Sequence, residues 1–316
     1  MPERMLCLGE GLIDIVTGPT SSSERVGGSL LNVAVGIARL GRPASLCAHW
    51  AVDPRGRMLG EWARLAGVDL IPGTESAPRT PVAYARIDDE GRASYEFDLA
   101  WAVPQPPDLA GFGHLHTGSL AVTLEPGGST VQALTSRMRG HGTVSYDPNI
   151  RPAVMRKPAA VLERVERLVR MSDVVKASDE DLRWLYPGPP VADVLRRWLA
   201  TGPSMLVLTR GPAGADALLA GNRDMLHLDP IRVTVADTVG AGDSFMAGLL
   251  TGLCDAGLLG SPRARERLAA ADWPDVQPAL HRAVISAALT VGHSGAYPPT
   301  MAEVEAIRAT DPLLRD

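Results

Sequence analysis

The chain has 316 residues, of which 45% are hydrophobic and 21% charged, and its formal net charge is −5. These values are typical of a globular protein that can bury a substantial core, and the basic residues are too scattered for a nucleic-acid surface. No apolar segment approaches the length of a membrane span, and Glu10 and Asp14 interrupt any signal-like apolar run near the amino terminus. We therefore expect a cytoplasmic protein without a nucleic-acid or membrane partner.

The hydrophobic pattern predicts strands that alternate with helices along most of the chain. Strands are expected at 5–16, 44–51, 68–71, 114–120, 143–147, 173–177 and 204–209, with further short strands up to 235. Helices are expected at 29–40, 55–65, 128–139, 159–171, 279–291 and 301–308, with another starting around Gly242, and a loop is expected at 273–278. This alternation favours a mainly parallel sheet with helices on both faces.

One region departs from this alternation. The stretches 82–87 and 93–97 flank the sequence DDEG at 88–91, which predicts a hairpin with glycine in its turn. An antiparallel flap inserted into an α/β domain is a candidate lid over a substrate. A plain hairpin at the edge of a sheet is the alternative.

A small-residue turn stands directly before a predicted helix near residue 240. Gly240, Ala241 and Gly242 leave the backbone N–H groups of a helix start unshielded, so that an anion can reach them. Asp243 follows in the first turn, where a carboxylate could serve a hydroxyl that attacks a phosphoryl group. Alternatively, Asp243 only complements the helix dipole.

Two rival nucleotide motifs do not match this turn. A dinucleotide fingerprint needs a third glycine where Phe245 stands. A Walker P-loop needs a Gly-Lys pair, and the sequence contains none.

Two segments together resemble a known family. Residues 27–34 (GGSLLNVA) resemble the amino-terminal glycine-pair signature of the ribokinase-like carbohydrate kinases of the phosphofructokinase-B type. Residues 237–243 (DTVGAGD) match the second signature of that family almost letter for letter. The segments 9–14 (GEGLID), 147–152 (DPNIRP) and 295–296 (GA) look most like its fructokinase branch.

The resemblance implies a single ribokinase-like domain over 1–316. Its fold would be three-layer α/β/α, with a mainly parallel central sheet and a small antiparallel β lid formed by segments near 12–26 and 80–101. The implied activity is ATP-dependent phosphorylation of a sugar, with D-fructose converted to fructose 6-phosphate and with Mg²⁺ and K⁺ as cofactors. Alternatives are 2-keto-3-deoxygluconate, ribose or a nucleoside as substrate, or a sugar-binding regulator without catalysis. A homodimer is the assembly that the resemblance allows.

The resemblance assigns catalytic roles to the 240–243 turn. Asp243 would be the general base, and the amides of Gly240, Ala241 and Gly242 would hold the charge of the transferring phosphoryl group. Arg151 is similar to an arginine that the fructokinase branch places near the sugar or the phosphate, and a surface ion pair is its alternative.

The implied sugar-binding residues come from the first strand and the first signature. They are Asp14, Gly27, Gly28, Asn32 and Arg151, together with Asp243. For Asn32, a helix-capping role is the alternative. Residues of the lid and nearby loops are expected to decide which sugar binds; they are Tyr95, Phe97, Trp101 and Ser119.

On the nucleotide side, Thr209, Gly211 and Gly214 match a strand-end turn that contacts phosphates and adenosine, with Gly240 and Gly242 completing the set. The family usually has Asn-x-x-Glu tied to magnesium, whereas this chain has Ser178 and Asp181 at those positions. Both side chains are shorter, and Lys176 precedes them as a further predicted nucleotide ligand. Alternatively or in addition, Ser178 caps a helix.

A monovalent cation would lie beside the anion hole. The resemblance implies oxygen ligands from Asp237, Val239, Thr290, His293 and Gly295, with His293 standing where an arginine is common. Two further histidines, at 114 and 116, share one face of a strand. A packed or hydrogen-bonded pair explains them better than a metal site.

Overall fold

The structure is a computed structural model that describes residues 4–18, 22–87, 93–103, 105 and 107–310. The predicted turn at 88–91 lies outside these residues, as does the side chain of Tyr95. Of the helices in the described ranges, none is long and apolar enough to cross a bilayer.

The strands and helices alternate much as the sequence predicts, except that the strands expected up to residue 235 end at Leu228. The strands are β1 (Met5–Leu8), β2 (Leu12–Thr17), β3 (Ser22–Gly27), β4 (Ala44–Cys47), β5 (Asp69–Leu70), β6 (Val82–Ile87), β7 (Ala93–Asp98), β8 (His114–Gly118), β9 (Thr143–Asp147), β10 (Val174–Ser178), β11 (Met205–Thr209), β12 (Ala215–Leu219) and β13 (Met225–Leu228). The helices are α1 (Ser29–Arg39), α2 (Pro54–Leu65), α3 (Ser119–Thr123), α4 (Gly127–Met138), α5 (Pro152–Met155), α6 (Pro158–Met171), α7 (Asp179–Leu185), α8 (Val191–Leu199), α9 (Ala241–Asp255), α10 (Pro262–Ala269), α11 (Trp273–Val291) and α12 (Met301–Thr310).

The central sheet has nine strands in the order β13-β12-β11-β10-β9-β8-β1-β4-β5. The seven neighbouring strands β11, β10, β9, β8, β1, β4 and β5 are parallel to one another. At one edge β12 pairs antiparallel with β11, and β13 pairs antiparallel with β12. The carboxyl ends of β8, β9, β10 and β11 therefore meet at one edge of the sheet, where ligands of open α/β sheets usually bind.

Both faces of the central sheet are covered. In β1, Met5 and Cys7 pack into one hydrophobic cluster, which also contains residues of α1, α9 and α11. Leu6 and Leu8 point the other way, into a cluster with residues of α4, α6 and α8. The predicted three-layer α/β/α arrangement is confirmed, because every second side chain of a fully buried strand faces a different helix layer.

The smaller sheet has four strands in the order β3-β2-β6-β7. Its two hairpins, β2–β3 and β6–β7, are antiparallel, and they join through a parallel pairing of β2 with β6. The predicted hairpin strands at 82–87 and 93–97 are confirmed. The strands of this sheet come from the two segments predicted to form the lid, whereas the division into one domain with a lid stays a prediction.

The predicted strand at 5–16 is wrong, because the chain changes sheets at Gly9, Glu10 and Gly11. β1 ends at Leu8 in the central sheet and β2 begins at Leu12 in the smaller one. Gly9 has φ +158°, and a Cβ there would lie 2.5 Å from Cγ of Leu30. The turn needs glycine because a helix packs directly against its backbone.

The predicted loop at 273–278 is also wrong, because α11 begins at Trp273 and contains Pro278. Its start carries a capping box between Asp272 and Asp275, and a proline occupies its first turn. Proline is tolerated there since the first amides of a helix have no partner within the helix. Two prolines in six residues therefore misled the sequence interpretation.

Candidate active site

The starts of two helices meet at the candidate site, and each begins after a glycine. Gly28 precedes α1 with φ +104°, and a Cβ there would lie 2.7 Å from the carbonyl oxygen of Glu10. Gly240 precedes α9 in the left-handed region with φ +77°, and a Cβ there would lie 2.5 Å from Cβ of Ala296. Glycine is required at both positions by conformation and by space.

The amides predicted to form the anion hole stand at the start of α9. In the described part of the chain, no side chain caps this helix. Ala241 is partly engaged, since its N–H donates to the carbonyl of Thr238 over a long 3.3 Å. Gly240, Ala241 and Gly242 are half-buried, so an incoming anion can reach this helix start.

Asp243 is buried, and each of its carboxylate oxygens accepts a hydrogen bond from α1. Ser29 Oγ donates to Oδ1 at 2.6 Å, and Asn32 Nδ2 donates to Oδ2 at 2.8 Å. Burial raises the pKa of Asp243, while the hydrogen bonds from Ser29 and Asn32 oppose that rise. The carboxylate is thus held in one orientation by two donors from the neighbouring helix.

Asp14 and Gly27 lie near each other on the paired strands β2 and β3, where Gly27 pairs with Leu12 and Asp14 with Arg25. A Cβ on Gly27 would lie only 2.0 Å from Oδ2 of Asp14, so glycine makes room for this carboxylate. Burial raises the pKa of Asp14 to about 6; the charge of Arg151 opposes this and that of Asp243 adds to it. Asp14 and Asp243, which are far apart in sequence, therefore share one electrostatic environment.

Glu10 is a buried carboxyl group beside these residues that was not predicted as a site residue. Burial raises its pKa to about 7, against hydrogen bonds from its own backbone and from Ser119 and against the charge of Arg151. Within the described residues, its Oε2 has no hydrogen-bond partner. The segment 9–14 pointed to this region, but nothing in the sequence showed that the turn at Gly9 would bury the Glu10 side chain.

Lys176 reaches the start of α9 from the middle of β10. It forms a buried ion pair with Asp147, with 2.8 Å between Nζ and Oδ2. Burial lowers the pKa of Lys176, but the charge and hydrogen bond of Asp147, together with the charges of Asp181 and Asp243, outweigh it, so that the pKa is raised and the ammonium stays charged. A Cβ on Gly242 would lie 3.3 Å from Nζ. The predicted nucleotide ligand therefore lies beside the predicted anion hole.

Arg151 is exposed at the carboxyl end of β9. Its Nη1 donates to Oδ1 of Asn149 at 2.6 Å and more weakly to the carbonyls of Asn149 and Ile150. The charge of Arg151 lowers the pKa of Glu10, Asp14 and Asp243. The structure thus places it at the carboxylate cluster, and its hydrogen bonds go to oxygens of neighbouring residues.

Ser178 and Asp181 form a complete capping box at the start of α7. Ser178 Oγ accepts from the amide of Asp181 at 3.0 Å, and Asp181 Oδ2 accepts from the amide of Ser178 at 3.0 Å. The other oxygen, Oδ1, accepts from the amide of Ile150 at 2.7 Å. The alternative of a helix cap is therefore confirmed. The magnesium role of Asp181 stays a prediction. Because both of its oxygens already accept amide hydrogen bonds, only their remaining lone pairs could bind the ion.

The predicted nucleotide turn follows β11. Thr209 is the half-buried last residue of that strand, and Gly211 and Gly214 have φ values of +53° and +79°. A Cβ on Gly214 would lie 2.1 Å from the carbonyl oxygen of Leu228. The turn is held by glycine conformations and lies at the same edge of the sheet as β10.

Asp237 links two of the other residues predicted for a monovalent cation, Val239 and Gly295. Its Oδ1 accepts from the amide of Val239 at 3.1 Å, and its Oδ2 accepts from the amide of Gly295 at 2.9 Å. The carbonyl of Thr290 accepts from the amide of His293 at 3.0 Å. The His293 ring stacks on Tyr297 with 3.9 Å between centroids. Asp237 Oδ2 also pairs with Nη1 of Arg25 at 3.4 Å. A cation role for these residues stays a prediction.

Three predicted specificity residues differ in their surroundings. Trp101 is buried, donates from Nε1 to the carbonyl of Ala121 at 2.9 Å and lines a small cavity beside Glu10. Ser119 is buried with φ +49°, and Phe97 is half-buried in β7.

His114 and His116 are fully buried, and each forms a hydrogen bond with the hydroxyl of Ser145. In the described ranges, no group of three or more His, Cys, Asp or Glu residues could hold a metal ion. The hydrogen bonds to Thr143 and Ser145 confirm the hydrogen-bonded interpretation of the two histidines.

Comparison with known proteins decides the family. The family model described as pfkB family carbohydrate kinase matches residues 12–302. The chain belongs to this family. The predicted ribokinase-like fold and carbohydrate kinase activity are thereby confirmed.

Individual relatives agree with this assignment. A fructokinase of Rhizobium leguminosarum bv. trifolii is 33% identical over 261 residues, which cover 79% of this chain and 79% of that protein. The chain is also similar to a double mutant of the Vibrio cholerae O395 fructokinase, solved with fructose, ADP and a potassium ion. The TM-score is 0.79 and the identity 26%, over 96% of this chain and 98% of the other. A fructokinase from Xylella fastidiosa solved with ATP shares the fold, with a TM-score of 0.83 and 22% identity over 98% of this chain and 99% of that one.

Proposed function

We propose that this carbohydrate kinase transfers the γ-phosphoryl group of ATP to the 6-hydroxyl of D-fructose, with Asp243 as the general base. The observation that carries the proposal is the placement of Asp243. It is a buried carboxylate beside an uncapped, glycine-rich helix start, within the electrostatic reach of Asp14 and Arg151. The fructokinases among the relatives support fructose as the sugar.

The proton step follows from the acidities of the two groups. An alcohol is a far weaker acid than a carboxylic acid, so Asp243 does not remove the proton before the reaction. It orients the hydroxyl and accepts its proton as the new O–P bond forms and the bond to the leaving ADP breaks. A positioned base of this kind contributes roughly 10² to 10⁴ in rate.

The phosphoryl charge would be held by groups already arranged around the start of α9. The amides of Gly240, Ala241 and Gly242 and the ammonium of Lys176 supply donors and positive charge there. Because Lys176 is anchored by buried Asp147, it needs little reorganisation when the phosphoryl group arrives. Arg151 supplies a further positive charge near the sugar.

The two substrates would be bound from different sides of the base. Asp14, Gly27, Gly28 and Asn32 surround the sugar side, with carboxylate and amide groups for its hydroxyls. The four-strand sheet, which carries Asp14, would act as the lid over the sugar. Thr209, Gly211 and Gly214 would contact the nucleotide at the end of β11.

Two metal ions would assist. Mg²⁺ would neutralise the nucleotide phosphates, and it usually enters with them through few protein carboxylates. Asp181 is its predicted carboxylate. K⁺ would be held by oxygens of Asp237 and of Val239, Thr290, His293 and Gly295, in line with the potassium in the Vibrio relative. A homodimer and a cytoplasmic location stay predictions.

A coupled assay for ADP formation tests the proposal. The full-length protein is given ATP, Mg²⁺ and each of D-fructose, ribose, 2-keto-3-deoxygluconate and a nucleoside, with and without K⁺. We expect the highest kcat/KM with fructose and fructose 6-phosphate as the product. Turnover only on another of these substrates would show that fructose is the wrong assignment. Sugar binding by calorimetry without turnover on any of them would contradict the kinase mechanism.

A further inference from the structure

Ser29 lies inside the first signature but was not among the predicted site residues. It is the first residue of α1, it is buried, and its Oγ lies 2.6 Å from Oδ1 of Asp243. An ionised carboxylate only accepts hydrogen bonds, so the hydroxyl of Ser29 is the donor. The distance is in the range expected for a hydroxyl that donates to a charged oxygen.

The two oxygens of Asp243 have different partners with different duties. Asn32 donates to Oδ2 and belongs to the proposed sugar-binding residues, so the proposed function puts the sugar on the side of Oδ2. Ser29 binds the opposite oxygen and has no such second duty. When Asn32 contacts the sugar, Ser29 still holds the carboxylate.

We propose that Ser29 is a positioning residue for phosphoryl transfer, because its hydroxyl holds Oδ1 of Asp243 and leaves Oδ2 directed at the sugar hydroxyl. This inference rests on the proposed function, since it takes Asp243 as the base. Helix packing supports it: α1 and α9 are in contact, so the first turns that carry Ser29 and Asp243 are held together.

The hydrogen bond also affects the charge of Asp243. Burial raises the pKa of Asp243, and the Ser29 hydroxyl is the first of the groups that lower it. Asn32, Arg151 and Lys176 also lower the pKa of Asp243. The charge of Asp243 in turn raises the pKa values of Glu10, Asp14 and Asp147. Loss of Ser29 leaves all of these in place, so its effect can be isolated.

The test is the pH profile of kcat for Ser29→Ala. We expect kcat to fall roughly 10- to 100-fold, the size of a lost hydrogen bond to a charged group. We also expect the acid limb of the profile to move to higher pH, because without the Ser29 hydroxyl Asp243 stays protonated up to a higher pH. KM for ATP should change little. Ser29→Thr, which keeps the hydroxyl, should restore the wild-type acid limb.

A matched control removes a different buried hydroxyl from the same region. Ser244, next to Asp243, donates to the carbonyl of Ser286 at 3.1 Å and does not bond the Asp243 carboxylate. Ser244→Ala should leave the acid limb unchanged. If Ser29→Ala lowers kcat equally at every pH, or behaves as Ser244→Ala does, the positioning role is wrong. If Ser29→Ala does not fold in a thermal scan, Ser29→Cys replaces it, with the same expected direction.

Asp243→Asn separates this inference from the proposed function. If Asp243→Asn keeps turnover, Asp243 is not the base, so the proposed function is contradicted whatever Ser29→Ala shows. If Asp243→Asn is inactive while Ser29→Ala keeps the wild-type rate and profile, only the role of Ser29 fails. Where both variants behave as expected, adding Ser29→Ala to Asp243→Asn should cost nothing further, because the group being positioned is absent.

Discussion

The starts of α9 and α7 carry the same residue at the same position and use it in opposite ways. Asp243 and Asp181 are both the third residue of their helices, and both are buried. Asp181 accepts from the amide of Ser178, the cap of its own helix. Asp243 follows Gly240, which has no side chain, and its two bonds come from side chains of α1.

The cap residue accounts for the difference. A serine cap binds the amide of the third residue and closes the start of the helix, as Ser178 does for α7. Glycine in the left-handed conformation leaves the start of α9 without such a cap. A helix start becomes a candidate catalytic site when its amides and its carboxylate are not used to stabilise the helix itself.

The largest expected effect that tests this contrast is on turnover. Asp243→Asn should lower kcat by roughly 10² to 10⁴, because the amide cannot accept the proton of the sugar hydroxyl. KM for both substrates should stay within a few-fold. Steady-state kinetics measures this, with Asp275→Asn as the control, since Asp275 holds the same position in the capping box of α11. Near-normal turnover of Asp243→Asn would refute its assignment.

The second effect concerns the carboxyl groups gathered near α9. The pKa of Glu10 is raised from 4.5 to about 7 in the folded protein. Between these pH values the unfolded chain has lost the proton and the folded protein keeps it, so stability falls as pH rises. The loss from this group is up to roughly 3 kcal/mol.

Urea unfolding between pH 4.5 and pH 8 checks this prediction. Glu10→Gln should show a smaller loss of unfolding free energy across this range than the wild type. Asp14 and Asp147, whose pKa values are each raised to about 6, act in the same direction in both proteins and cancel in the difference. Equal slopes for the two proteins would contradict the buried, protonated Glu10.

The third effect separates stability from catalysis. Asp181→Ala should lower the unfolding free energy by about 1 to 3 kcal/mol, because it leaves the amides of Ser178 and Ile150 without their acceptor. Asp243→Asn should cost less, since burying its charge is unfavourable to folding. Chemical denaturation of both variants gives the comparison. The reverse order of stabilities would show that the two carboxylates are not divided in this way.

The smallest effect tests the space at the start of α9. Gly242→Ala places a Cβ 3.3 Å from Nζ of Lys176, so the ammonium must shift by a few tenths of an ångström. We expect kcat to fall about tenfold, since misplaced charge stabilises the transition state less. The unfolding free energy should not fall, because alanine favours a helix over glycine. Gly111→Ala, which meets open space, is the control with unchanged kcat.

Much of the fold and of the site could be predicted because the signals are local. The alternation of strands and helices and the turn at 240–243 depend on neighbouring residues alone. The two signatures pointed to Asp243 and Asn32, and the structure places Nδ2 of Asn32 2.8 Å from Oδ2 of Asp243. The errors at residues 5–16 and 273–278 arose where apolar or proline-rich stretches are ambiguous without their packing partners.

The sequence by itself determined the family, the layered architecture and the identity of the proposed base, because signatures and periodicity are written in consecutive residues. Only the tertiary structure decided that Ser29 binds Oδ1 of Asp243, that Glu10 is buried, and that Lys176 lies beside Gly242. Each of these depends on two segments that are far apart in the chain, and their hydrogen bonds and burial exist only once the sheet and helices have packed.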